Sequence, residues 1–141
     1  MYFGFNDIYV NYGKKEVLKG LTLDIPRGKI VSLIGQNGCG KSTLLKTVSK
    51  AVTPRRGEII YLDQKISSYQ HKRLAQKIAY LAQVHESPPD IDVRTLVSYG
   101  RFPYSHFGRG MTSDDGEIID RAISLTGLTH LRERILSTLS G

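Results

Sequence analysis

Apolar and polar positions change rhythm twice along the chain. From Tyr2 to Ile25 they alternate: Phe3 with Phe5, Ile8 with Val10, and after a polar break Leu21, Leu23 and Ile25. A period of two places each set on one face of an extended strand. The break Asn11-Tyr12-Gly13-Lys14-Lys15 predicts a turn, with strand resuming over Val17 to Ile25. Pro26-Arg27-Gly28 closes that strand. Ile30-Val31-Ser32-Leu33-Ile34 is a short β-branched run of the kind used by a buried strand. Leu44, Leu45 and Val48 then recur at helical spacing, so a helix from Lys41 is expected, ending near Lys50 because Pro54 follows.

Arg55-Arg56-Gly57 predicts another turn, Glu58 to Leu62 a strand, Ser68 to Lys77 a short helix, and Ile78 to Leu81 a further strand. Ser87-Pro88-Pro89-Asp90 breaks the pattern, and the rest reads as helical: Val93 to Tyr99, Glu117 to Thr126 and Leu128 to Leu136. In the second of these helices Ile118, Ala122 and Leu125 share a stripe, with Ile119 and Ile123 beside it. Asp114 with Glu117 resembles a capping box. The expected order is a mainly antiparallel β front over residues 1–27, a strand–loop–helix core with an inserted strand over 28–86, and a helical part over 87–141. No internal repeat or low-complexity tract interrupts it.

Composition narrows the class without naming it. The 141 residues are 40% hydrophobic and 23% charged, an ordinary globular balance for one domain with a real core. No run is long and apolar enough to cross a membrane, and no basic-then-apolar start reads as a signal peptide. A single cysteine excludes an internal disulfide framework and a Cys-based zinc site, which fits a reducing cytoplasm. The net charge of +7 is scattered, with short clusters such as Lys14-Lys15 and Arg55-Arg56 and no RNA-binding motif, so no nucleic-acid partner is expected.

The chemistry is concentrated in Gly35-Gln36-Asn37-Gly38-Cys39-Gly40-Lys41-Ser42-Thr43, which fits the phosphate-loop pattern G-x-x-x-x-G-K-[ST] at every fixed position. Between a strand and a helix, such glycines bring backbone N–H groups close to an anion, and the helix N-terminus adds its positive end. Lys41 is expected to reach the β- and γ-phosphates of ATP, and the Ser42 hydroxyl to ligate Mg²⁺. Cys39 lies among those N–H groups, surroundings that favour a thiolate whose alkylation would block the site; the alternative is a buried, inert thiol in a small-residue position.

With these residues in order, the chain resembles the ATPase domain of the ATP-binding cassette superfamily. Tyr12 lies where that family places the aromatic that stacks on adenine, and Gly35 to Thr43 is its phosphate loop. Ile78-Ala79-Tyr80-Leu81-Ala82-Gln83 looks like the strand ending in the Gln loop, which implies that Gln83 touches Mg²⁺ or the attacking water. Leu139-Ser140-Gly141 looks like the start of the LSGGQ signature, cut after three residues. The implied fold is α/β, the N-terminal part of a P-loop NTPase: an antiparallel β subdomain, an incomplete RecA-like core and a helical subdomain. Tyr99-Gly100-Arg101-Phe102-Pro103-Tyr104, followed by Phe107-Gly108, resembles the segment of importers of iron–siderophore complexes, haem and cobalamin that lies near the membrane permease.

The resemblance implies the ATPase subunit of an uptake transporter, cytoplasmic and held to the inner face of the membrane through an integral permease. Two such subunits pair head to tail, each ATP lying between one phosphate loop and the opposite signature, and neither touches the cargo directly. In the family the Walker B strand, its catalytic glutamate and the switch histidine follow the signature, so the chain is expected to be a fragment of a longer protein. Ile59-Ile60-Tyr61-Leu62-Asp63 imitates Walker B but precedes the Gln loop and is followed by Gln64; it is read as a strand running into a turn. His71, His85, His106 and His130 also precede the signature and are read as solvated surface. Two rivals stay open: a soluble cassette ATPase acting on nucleic acid, ribosomes or cluster assembly, and a nucleotide-binding remnant without turnover.

Overall fold

The computed structural model describes residues 2–83, 88, 90–105 and 110–139. They fall into two compact units, Met1–Ala79 and Tyr80–Gly141.

The first unit is built on a four-stranded antiparallel sheet in the order β2-β1-β3-β4, with β1 Phe3–Tyr12, β2 Lys15–Ile25, β3 Arg56–Tyr61 and β4 Gln64–Lys65. The expected turn shrinks to Gly13-Lys14, because Tyr12 and Lys15 already pair and Gly13 takes the positive φ (58°) that a two-residue hairpin needs. β3 stops at Tyr61, one residue short of expectation. Leu62 and Asp63 both turn left-handed (φ 48° and 60°) and lead into β4, so the imitation of Walker B is a strand running into a turn. Phe3, Phe5, Ile8 and Val10 of β1 are buried with Leu18, Ile59 and Tyr61. Each such side chain contributes about 1.5–3 kcal/mol by leaving water.

Helix α1 (Lys41–Val48) packs Leu44 into this core. It ends two residues before the expected Lys50, which adopts a left-handed φ of 59°. The Lys50 ammonium donates to the carbonyl oxygens of Ser67 (3.3 Å) and Tyr69 (2.8 Å). The helix expected over Ser68 to Lys77 resolves into a 3₁₀ turn, Ile66–Ser68, and α2, His71–Ala75, with Ile66 and Leu74 in the core.

Two expected strands do not form. Ile30–Ile34 joins no ladder among the described residues; Ile30 is 100% exposed and Ile34 95%. Ile78–Leu81 is likewise outside any strand. An apolar β-branched run states a preference, but a strand exists only where a neighbour accepts and donates its hydrogen bonds. The antiparallel front therefore stands as expected, while the buried strand expected before the phosphate loop does not form.

In the second unit, α3 (Val93–Ser98) is capped by Asp92, whose carboxylate accepts from the Thr95 N–H at 2.6 Å. Tyr99–Tyr104 continues as a 3₁₀ helix around Pro103. α4 covers Ser113–Leu125 and begins four residues before the expected Glu117, because the capping box is Thr112 with Asp115 rather than Asp114 with Glu117. Its buried face is Ile119 and Ile123; Ile118 and Leu125 of the expected stripe are exposed. The helix expected over Leu128 to Leu136 is replaced by two 3₁₀ turns, Thr129–Leu131 and Leu136–Thr138. Residues 132–136 instead run beside 91–94, Val93 donating to Arg134, Arg94 to Arg132, and Leu136 to Ile91.

Candidate nucleotide site

The loop closes through a turn in which the Cys39 N–H donates to the Gln36 carbonyl at 3.3 Å. Gly38 (φ 79°) and Gly40 (φ 103°) hold backbone conformations that a side chain resists. Gly40 is also pressed against β2: a Cβ there would lie 2.8 Å from Leu18 Cδ2 and 3.3 Å from the Val17 carbonyl oxygen. Val17 and Leu18 thus seat the loop on the sheet, a role their spacing in the sequence does not announce.

Gly40 is the N-cap of α1 and offers no side chain, so the first-turn N–H groups of the helix have no cap from within the chain. No acidic residue stands in that turn. None of residues 25–57 is acidic, while seven of them are lysine or arginine. The Lys41 ammonium folds over the loop and donates to the carbonyl oxygens of Gly35 (2.7 Å) and Gln36 (2.8 Å), 3.8 Å from Cys39 Sγ. Cys39 is exposed. Ser42 is exposed in the same first turn and Thr43 is buried. The set consists of an ammonium, a hydroxyl, backbone N–H groups and a helix N-terminus: donors and positive charge throughout. It fits a polyphosphate.

Tyr12 is on the same unit, at the end of β1, and 48% exposed. Its partner Lys15 lies two residues from Val17, so tyrosine and loop share the β1–β2 ribbon. Gln83 belongs to the second unit, exposed and outside any strand. Ser140 and Gly141 lie outside the described residues, as do Phe107, Gly108, His85 and His106. His71 and His130 are exposed, and no group of His, Cys, Asp and Glu among the described residues is arranged to hold a metal ion.

The second unit carries its own constellation. Tyr99 and Phe102 stack at 4.9 Å, and the Arg101 guanidinium lies 3.9 Å over the Tyr104 ring. Ser98, Arg101, Phe102, Ser105, Met111 and Asp115 line a cavity of about 300 Å³.

The family model described as "ABC transporter" matches residues 18–141. The chain belongs to the ABC transporter family. Among curated relatives in this family, the ferric enterobactin transport ATP-binding protein FepC of Escherichia coli (strain K12) is 41% identical over 132 residues, 94% of this chain and 49% of that one. The iron(3+)-hydroxamate import ATP-binding protein FhuC of Bacillus subtilis (strain 168) is 41% identical over 133 residues, with the same shares. The petrobactin import ATP-binding protein FpuD of Bacillus anthracis is 38% identical over 132 residues, 94% of this chain and 48% of that one. The chain spans about half the length of the curated relatives it matches. Among solved structures, an inward-facing transporter assigned to the metal-chelate ABC type aligns at TM-score 0.81 and 28% identity, over 99% of this chain and 50% of that one. MJ1267, an ATP-binding cassette of an ABC transporter, aligns at 0.82 and 21% over 99% and 59%, a likeness of fold. The α/β cassette fold read from the sequence is thereby established.

Proposed function

We propose that this chain supplies the nucleotide-binding part of the ATPase subunit of an ABC uptake transporter for iron–siderophore or related metal chelates. The observation that carries the reading is the uncapped N-terminus of α1 beside the Lys41 ammonium. The cargo reading draws its support from relatives named for ferric enterobactin, petrobactin and iron(3+)-hydroxamate.

On this reading the backbone of Gly35, Asn37, Gly38, Cys39 and Gly40 wraps the phosphates with Lys41, Ser42 and Thr43, and Tyr12 stacks on the adenine. Lys41 exchanges its two carbonyl acceptors for the β- and γ-phosphate oxygens. Ser42 is the residue of the first unit that would hold Mg²⁺. That ion, when bound, supplies charge neutralisation at the phosphates. Ser140 and Gly141 would face the phosphate loop of a second subunit in a head-to-tail pair. The exposed Tyr99, Phe102 and Tyr104 belong to the surface that meets the integral permease. The location is then the cytoplasmic face of the membrane, reached through that permease. Hydrolysis belongs to the complete subunit, ATP acting by its different affinity for the open and closed pair.

Calorimetry with Mg-ATP tests the first part: binding is expected and should be lost in Lys41→Ala. For the cargo, cells with Lys41→Ala at the chromosomal locus should stop taking up radioiron supplied as a siderophore complex. Unchanged uptake would overturn the cargo assignment.

A further inference from the structure

Charge is divided unevenly between the two units. Residues 1–79 hold fourteen lysines and arginines against five acidic residues, and residues 80–141 hold six against eight. Every lysine falls in the first unit. Part of this excess is set beside the phosphate loop. Lys14 occupies the β1–β2 turn, and Lys15 and Lys19 lie on β2 to either side of Val17 and Leu18, the two residues that seat Gly40. All three lysines are exposed. Among the described residues none of them has a carboxylate within ion-pair distance, unlike Lys65, which pairs with Glu58, and Arg56, which pairs with Asp7 at 2.9 Å. The chain rises about 3.3 Å per residue along β2, so the backbone of Lys14, Lys15 and Lys19 lies within about 10 Å of Val17, roughly one Debye length.

We propose that Lys14, Lys15 and Lys19 form a cationic rim that captures the triphosphate before it seats on the loop, so that the speed of nucleotide binding is set partly outside the phosphate-loop motif. This rests on the nucleotide reading above and adds a role for residues that the motif does not contain. A like-signed patch beside a binding site raises the local concentration of a polyanion and the rate of encounter, and salt removes the effect. The rim should therefore act on association rather than on dissociation. Its effect should rank by ligand charge: ATP above ADP, ADP above AMP, with adenosine indifferent.

The experiment is stopped-flow binding of N-methylanthraniloyl-ATP to the full chain, with unlabelled ADP, AMP and adenosine as competitors. The triple variant Lys14→Gln/Lys15→Gln/Lys19→Gln, and each of its three single variants, is compared with Lys77→Gln, a single charge removed beyond α2. Lys77 is exposed and lies just beyond α2, outside the β1–β2 ribbon that carries the three rim lysines. The triple variant should lose about 5–10-fold in association rate at low salt and converge on the parent near half-molar salt. Lys77→Gln should change it less than about twofold, and Lys→Arg at the three rim positions should restore it. A triple variant within twofold of the parent, or an equal loss for adenosine, would overturn the rim while leaving Lys41→Ala to judge the nucleotide reading. Absence of any binding by the parent chain would overturn both.

Discussion

Arg101 donates from Nε to Asp115 Oδ1 at 2.7 Å, and through that contact the aromatic 3₁₀ segment is fastened to the first turn of α4. Asp115 serves two purposes at once. Its other oxygen accepts from the Thr112 N–H at 3.0 Å and the Thr112 hydroxyl at 2.9 Å, which closes the capping box. The Thr112 N–H above all, then the Arg101 guanidinium and the Thr112 hydroxyl, hold the Asp115 carboxyl at about 2, below its ordinary 3.8.

A depressed carboxyl stabilises the fold above its ordinary value and loses that contribution as pH falls through the lowered one. The second unit should therefore loosen between about pH 4 and pH 2. Asp92, lowered by the Thr95 N–H it accepts, adds to the same acid loss. Amide exchange of α4 followed down to pH 2 checks this. Asp115→Asn should start less protected at pH 6 and show a flatter acid response; an unchanged profile would remove Asp115 from the account.

Gly57 separates packing from backbone strain. A Cβ there would lie 2.2 Å from the Asp7 carbonyl oxygen and 2.4 Å from that of Asn6, at φ 90°. Those are backbone atoms that cannot swing aside. Gly57→Ala should cost about 2–4 kcal/mol by urea unfolding. Gly28→Ala, at φ 72° in open space, should cost only about 1–2 kcal/mol of left-handed strain.

The two sides of α4 should respond unequally to truncation. Ile123 is 2% exposed and Leu125 77%. Ile123→Ala is expected to cost about 2–4 kcal/mol and Leu125→Ala less than about 0.5 kcal/mol, read from amide exchange within the second unit.

Cys39 offers a direct report on the loop. It is exposed and 3.8 Å from the Lys41 ammonium. A maleimide should label it, and Mg-ATP should slow labelling at least severalfold. Equal rates with and without nucleotide would show that bound nucleotide does not cover the thiol.

The legible parts of the fold were those decided within a few residues. Asn11-Tyr12-Gly13-Lys14-Lys15 announces a turn because a polar run with a glycine has few other uses between alternating strands, and strand pairing then shortened it to Gly13-Lys14. The phosphate loop is legible because its glycines, lysine and serine are each required by one local geometry. What escaped was decided at longer range. Ile30–Ile34 has the composition of a strand, but composition supplies no partner. Ile118, Ile119, Ala122, Ile123 and Leu125 cover too much of α4 for periodicity to choose a face, and packing chose Ile119 and Ile123. The capping box moved because Thr112 offers its hydroxyl at the place where the chain turns into the helix, ahead of Asp114.

The confinement of every lysine to residues 1–79 has a practical side for anyone immobilising this protein. Amine coupling to a biosensor chip would attach it only through the phosphate-loop unit, with Lys14, Lys15, Lys19 and Lys41 among the reactive groups. The attachment chemistry would consume the charges being assayed and report a dead site where a live one had been. Coupling through an added terminal tag leaves them intact. Conversely, residues 78–141 hold no lysine, so a protease that cuts only after lysine should leave that stretch intact.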